Sequence, residues 1–275
     1  MKKKHLKIIA LTLAIVLIVG LCWFANALLG NPVSKMLASN TAKQHLAETY
    51  GGTDYYVDRI AYNFKDGNYH AFIKSETSID AEFSLYITMA GKLRLDTYED
   101  VTSGFNTARR IDQEYRTLSD SIFDSPSFPY GHDIGYGTIE IYPGELIGNR
   151  DFDDVPPYAL NQDELILDKI YDIRELGRQA GHIDLYVEQD SVSIEEAAEI
   201  MVDVKRLFDD AGIPFAAMDF VLQHPRPEEG KRPEGEVRVI HFPYEEIYAD
   251  DMVSRVREAD KITREYYAML DDKSK

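Results

Sequence analysis

Four small groups of side chains have the types and spacing for chemistry. His182 and Asp184 stand two apart in a stretch of β character, so both leave the strand on one face. An imidazole beside a carboxylate is half of a metal site or an acid/base pair. His132-Asp133 repeats the pair in a loop rich in Ser, Pro, Gly and Tyr, and functional residues concentrate on loops. Taken together, His132, Asp133, His182 and Asp184 define one reading, a metal-dependent hydrolase of the cell-wall space. Asp151, Asp153 and Asp154 offer oxygen ligands to calcium, but the glycine and distal glutamate of a calcium loop are missing. His224 to Arg232 interleaves Arg226, Lys231 and Arg232 with Pro and Glu, as a recognition loop or a flexible hairpin tip.

The plainer readings weigh more. Metal sites need three or four converging ligands, and no group supplies them from its own stretch. His182 and Asp184 then read as the solvent face of an edge strand, and the three aspartates as a solvated loop. There is no phosphate-cradling glycine loop, no Gly-x-Ser-x-Gly elbow and no His-Glu-x-x-His. The sole cysteine, Cys22, lies inside an apolar run, which excludes a cysteine nucleophile outside a membrane. No residue is therefore assigned a catalytic, cofactor-binding or metal role, and no cofactor is expected; the balance leans away from an enzyme.

The elements that position these groups begin with that apolar run, Ile8 to Leu29, whose only polar side chains are Thr12 and Asn26. As a helix it covers about 33 Å, enough for a hydrocarbon core about 30 Å thick. Lys2, Lys3, Lys4 and Lys7 precede it, so the positive-inside rule places the N-terminus in the cytoplasm and the bulk outside. An uncleaved signal anchor is favoured on length. A cleaved secretory signal, with Ala25-Asn26-Ala27 as its site, has too long an apolar region. A lipoprotein signal at Cys22 wants a small residue where Leu21 stands, and the plain reading of Cys22 is a membrane-buried apolar side chain.

The 275 residues carry a net charge of −18, and without the four lysines of the anchor the remainder carries −22. Such a surface does not take up nucleic acid, which needs a basic footprint. It also disfavours lying flat on an anionic membrane. With no cysteine after Cys22, no intramolecular disulfide can form there. The 18 tyrosines, clustered at Tyr55-Tyr56, Tyr244, Tyr248 and Tyr266-Tyr267, tilt towards a binding surface.

After Asn31-Pro32 the spacing predicts a helix from about Val33 to Tyr50, ended by Gly51-Gly52. Tyr55 to Thr97 reads as a four-stranded antiparallel meander, with Asp66-Gly67 as its first hairpin turn. Glu99 to about Phe123 reads as one helix, and 124–137 as a loop and domain boundary. Thr138 to Tyr142 is a short strand, and 143–159 is irregular. Asn161 with Glu164 forms a capping box for a helix burying Ile166, Ile170, Ile173, Leu176 and Ala180. A strand follows at His182–Glu188, then a helix capped by Ser193 with Glu196. Strands Met218–Leu222 and Val237–Phe242 and a helix from Asp250 to Leu270 complete the chain. The middle helix can make a crossover between parallel strands.

The N-terminal pieces carry a likeness. The anchor with Gly30-Asn31-Pro32-Val33-Ser34-Lys35, and Tyr62-Asn63-Phe64-Lys65-Asp66-Gly67-Asn68-Tyr69, resemble the YfjL-like proteins of Bacillota, small membrane-anchored proteins with no assigned activity. The likeness covers roughly the first 100 residues closely and the rest in outline. The helix-then-meander order also looks like the PepSY and cystatin-like modules that bind or restrain other proteins. Neither family supplies a catalytic residue to carry over. The expectation is an α+β chain: a cytoplasmic stub and transmembrane helix over 1–30, a helix-plus-meander lobe with its bordering helix over 31–123, and a second lobe of order α-β-α-β-β-α over 124–275. The function expected is a non-catalytic binding or regulatory module at the outer face of the membrane, with a protein partner there. The metal-dependent hydrolase and a structural scaffold of a membrane complex are the alternatives.

Overall fold

A computed structural model describes residues 2–148, 155–225 and 235–273. The aspartates 151, 153 and 154 and the basic loop through Arg226, Lys231 and Arg232 lie outside the described residues. The chain divides into two compact units, Met1–Asn106 and Thr107–Lys275. As expected, both mix α and β.

The first unit opens with α1 (Lys2–Leu29), the one helix among the described residues long and apolar enough to cross a membrane. Its apolar side chains from Ile8 to Ala25, and Leu28 and Leu29 after them, are exposed. Asn31 caps the next helix, α2 (Pro32–Thr49), by accepting the Ser34 amide, and Pro32 fits the first turn, where no amide is needed. Ser34, Ala38, Ala42 and Leu46 form a buried i, i+4 stripe of mostly small residues, so α2 lies close on its sheet. That sheet is the expected meander, β1 (Tyr56–Asn63), β2 (Asn68–Lys74), β3 (Glu82–Thr88) and β4 (Leu93–Asp96), antiparallel in chain order. Period-two alternation sends Tyr69, Ala71, Ile73, Phe83, Leu85 and Ile87 into the core. Asn63 pairs with Asn68 across the Asp66-Gly67 turn, where Gly67 has φ +69°. At the far end of α2, His45 and the Tyr50 hydroxyl both reach Asp96 Oδ2 at 2.7 Å, tying the helix to β4.

The expected single helix over 99–123 is two: α3 (Glu99–Thr102) and α4 (Phe105–Phe123). Gly104, at φ +77°, turns the chain between them. Most of α4 falls in the second unit, because Ile111, Tyr115 and Phe123 join that unit's core.

The second unit is built on a four-stranded sheet of order β10-β9-β8-β5. Its strands are β5 (His132–Ile139), β8 (Gly181–Glu188), β9 (Ala217–Gln223) and β10 (Glu236–Pro243). A short parallel pair, β6 (Ile141–Tyr142) and β7 (Leu160–Asn161), lies between β5 and β8 in sequence. Helix α6 (Ile194–Asp210) makes the expected crossover, and β8 and β9 run parallel. Ile183, Leu185 and Val187 pair with Met218, Phe220 and Leu222 on the core face, under Ile200, Met201, Val204 and Phe208 of α6. The last helix, α7 (Met252–Lys273), packs along β10.

Two element boundaries differ from expectation. The expected helix after Asn161 is only a 3-10 turn over Gln162–Glu164; the α-helix, α5 (Ile173–Ala180), starts later on an Asp172 cap. Asp168 at φ +61° breaks the run, and Ile166 and Ile170 stay exposed. The loop expected to reach residue 137 instead gives way to β5 at His132. Its glycines are there for space rather than for turning. A Cβ on Gly137 would stand 2.8 Å from the Tyr115 ring and 2.9 Å from Ser119 Cβ, so glycine lets α4 lie on the strand.

Ser193 accepts the Glu196 amide at 3.1 Å, completing the predicted cap on α6. Ser193→Ala is expected to cost about 1 kcal/mol. Urea unfolding would read it as a lower midpoint at unchanged slope.

Candidate functional site

The face of the second unit's sheet away from the helices carries polar groups. Alternation places Tyr136 and Thr138 of β5 there, with His182, Asp184 and Tyr186 of β8 and Asp219 of β9. The edge-strand reading of His182 and Asp184 is corrected: β8 is an inner strand, and His182 is 3% exposed. Hydrogen bonding on both flanks leaves β8 no free edge.

Asp219 is the hub. His182 Nε2 lies 3.2 Å from Asp219 Oδ1, and the backbone N–H of His241 donates to the same oxygen at 2.6 Å. The His241 ring turns back over it, with Nδ1 at 4.0 Å. His241 reaches this place by a β-bulge. The register of β10 against β9 slips between Val239 and Phe242, and His241 has φ +48°. Strict alternation would send residue 241 to the core side with Val237 and Val239; the bulge turns it to the polar face and gives the core Phe242 instead. A non-glycine residue in this conformation costs of order 1–3 kcal/mol, and such residues cluster at functional sites.

Tyr158 closes the group from the chain ahead of β7. Its hydroxyl lies 2.7 Å from His182 Nδ1 and 3.1 Å from His241 Nδ1. The contacts are satisfied with His182 charged. Protonated His182 donates to Asp219 and to the Tyr158 oxygen, and the Tyr158 hydroxyl donates to His241. The electrostatics agree with it. Burial disfavours charge on His182, but the hydrogen bond and charge of Asp219, helped by Asp184 and Glu140, hold its pKa above the ordinary imidazole value. Burial likewise works against the Asp219 carboxylate and is outweighed by His182 and the His241 N–H, so its pKa lies below the usual range. Asp184 sits beside Asp219 across the parallel pair, bonded by Tyr136. Burial raises its carboxyl, and Asp219 and Glu140 add to this while His182 opposes it. Burial also pushes the Tyr158 phenol up.

Of the residues singled out from sequence, His182 and Asp184 are in the group. His132 and Asp133 are not. His132 pairs with Val187 of β8, about 16 Å along the strand from His182 at 3.3 Å per residue, and its ring packs on Phe123 and Phe128. The four-residue metal set proposed from sequence is thus not assembled. Asp219, His241 and Tyr158 were missed. The first two left a trace: Asp219 interrupts an apolar run, and the apolar positions 237, 239 and 242 break period two. Tyr158 left none.

Chemically, the group offers two neutral-capable imidazoles and a carboxylate, ligands for a divalent metal. It also offers a hydrogen-bonded His–Asp pair for proton transfer. Elsewhere in the unit a cleft of about 560 Å³ is lined by residues including Arg178, Asp209, Phe215 and Tyr244, but by none of this group. Compared with known proteins, residues 5–97 match the YfjL-like, N-terminal domain and residues 114–257 match the YfjL-like C-terminal domain. No curated protein and no solved structure matches the chain.

Proposed function

We propose that this chain, which belongs to the YfjL-like family, is a single-pass membrane protein that acts by binding at the outer face of the membrane. Its N-terminus is cytoplasmic, α1 is the permanent anchor, and both α+β units are extracytoplasmic.

One observation carries the permanence of the anchor: the exit from α1 is part of the fold of the first unit. Gly30, at φ +68°, turns the chain against β2, and a Cβ there would strike the Tyr69 hydroxyl and the Tyr62 ring. The Tyr69 hydroxyl accepts the Asn31 amide at 2.7 Å and donates to the Asn31 carbonyl at 2.8 Å. The Tyr62 hydroxyl donates to the Ala27 carbonyl at 3.0 Å, and the Asn31 side chain donates to that of Asn26 at 2.7 Å. A signal peptide that is cut off has no use for such bonds. Cleavage after Ala27 would remove Asn26 and leave Asn31 short of a partner.

A binding role is supported by the first unit's far end. There a cleft of about 490 Å³ is lined by Lys43, Tyr50, Tyr55 and Tyr56, and Tyr56 is 40% exposed. Tyrosine brings a large apolar body and a polar tip at low entropic cost, which suits contact surfaces.

The test is intact mass and protease access. Protein extracted from membranes should weigh about 31.4 kDa, and protease added to spheroplasts should digest both units. A soluble form beginning after Ala27, or units protected until the membrane is opened, would sink the reading.

A further inference from the structure

We propose that His182, Asp219 and His241 bind one divalent transition-metal ion of the zinc class, with a fourth position open to water or to a ligand. The reading of function above places this site outside the membrane, but the site itself rests on its own residues.

The geometry is close to a centre already. One ligand atom from each residue lies within 4.8 Å of the other two. A tetrahedral centre with bonds of about 2.0–2.2 Å sets its ligand atoms about 3.3–3.6 Å apart. The separations of 3.2 Å and 4.0 Å from Asp219 Oδ1 bracket that value. Two imidazoles with one carboxylate suit zinc, copper, nickel or iron, not the all-oxygen shells of calcium and magnesium. Three protein ligands and an open position is the pattern of zinc sites that exchange a ligand.

The surroundings fit as well. His182 and Asp219 stand on adjacent inner strands, so their spacing is fixed by the sheet. Tyr158 engages His182 Nδ1, which leaves Nε2 directed at Asp219, and an outer partner on the second ring nitrogen is the usual arrangement of a metal-bound histidine; its 3.1 Å bond to His241 Nδ1 is the one the metal would displace. Asp184 beside Asp219 makes the site a negative one in which a cation is welcome. The bulge is the strongest clue. It holds a non-glycine residue at positive φ and takes residue 241 out of alternation, and its result is to bring a second imidazole to Asp219.

The experiment uses untagged full-length protein in detergent micelles, stripped with EDTA and titrated with Zn²⁺ against a chromogenic chelator. One Zn²⁺ per chain is expected. His182 is buried, so its replacement risks the fold; His241→Asn is the decisive variant, because asparagine tolerates positive φ. It should keep its circular dichroism spectrum and bind Zn²⁺ about 100-fold more weakly, whereas Asp184→Asn, outside the three ligands, should weaken binding by less than about tenfold. Wild-type protein that takes up no Zn²⁺, or a His241→Asn variant within about threefold of wild type, overturns the proposal. Uptake in micelles does not depend on membrane sidedness. A failed topology test therefore leaves the metal site standing, and a failed titration leaves the topology standing.

Discussion

Tyr115→Ala is expected to cost about 3–5 kcal/mol, the usual range for emptying a buried aromatic site. Tyr115 is fully buried, and three glycines make its cradle. A Cβ on Gly137 would meet its ring at 2.8 Å, one on Gly177 at 2.6 Å, and one on Gly181 would meet its hydroxyl at 2.6 Å. These glycines come from β5, α5 and β8, so the ring joins three elements around α4. Such a site has little freedom to collapse, since the strands are held by their own ladders and the glycines have no side chains to move inward. The hydroxyl donates to the Pro214 carbonyl at 2.9 Å. Tyr115→Phe should therefore cost only about 1 kcal/mol, the worth of one hydrogen bond. Chemical unfolding of both variants measures the ratio. A loss below about 1 kcal/mol for Tyr115→Ala would mean that the cradle repacks and that the glycines serve another end.

Asp219→Ala, measured in EDTA so that no metal contributes, is expected to cost roughly 3 kcal/mol, as for removing one partner of a buried pair. The His241 amide and His182 Nε2 would both lose their acceptor. The penalty should vary with pH. His182 has its pKa raised by the fold, so its contribution is full below the unfolded imidazole value and declines as pH rises through the folded one. Asp219 has its pKa lowered, so its contribution is full above the unfolded carboxylate value and is lost on acidification. Both are present between about pH 4 and about pH 6.5, where the difference from wild type should be largest. A penalty no larger inside that window than at pH values above and below it would show that the pair is not ionised as described.

What could be read in advance followed from short-range rules. Alternation at 69, 71, 73 and at 83, 85, 87 gave the meander its inner face, and Ser193 with Glu196 marked the start of α6. The crossover followed from an amphipathic helix between two apolar strands. The misreadings came where a residue answers to a distant neighbour. Gly135 and Gly137 look like turn formers until Tyr115, Ser119 and Phe123 are seen lying on them. Ile166 and Ile170 have helical spacing, but Asp168 at φ +61° prevents a helix there. The site was the least legible part, since its members come from four separate stretches, 158, 182–184, 219 and 241. His182 and Asp184 stood out by their spacing, whereas Asp219 left only a break in an apolar run and His241 only a slip of one residue in an otherwise regular strand.

The junction at Gly30 and Asn31 has a consequence for reach. A flexible tether of n residues lets a domain explore roughly 5–6 Å × √n. Here α1 ends at Leu29 and α2 begins at Pro32; of the two intervening residues Asn31 is bonded to the sheet and Gly30 packs directly against it. The first unit has no leash. On the single-pass reading it rides on the lipid surface and cannot sweep the wall space above. Whatever its Lys43–Tyr56 cleft meets must come within the length of α2, roughly 27 Å, of the anchor's exit, or be a membrane protein itself. Encounter then becomes a search in two dimensions, in which co-residence raises the effective concentration of a partner and a weak contact can suffice.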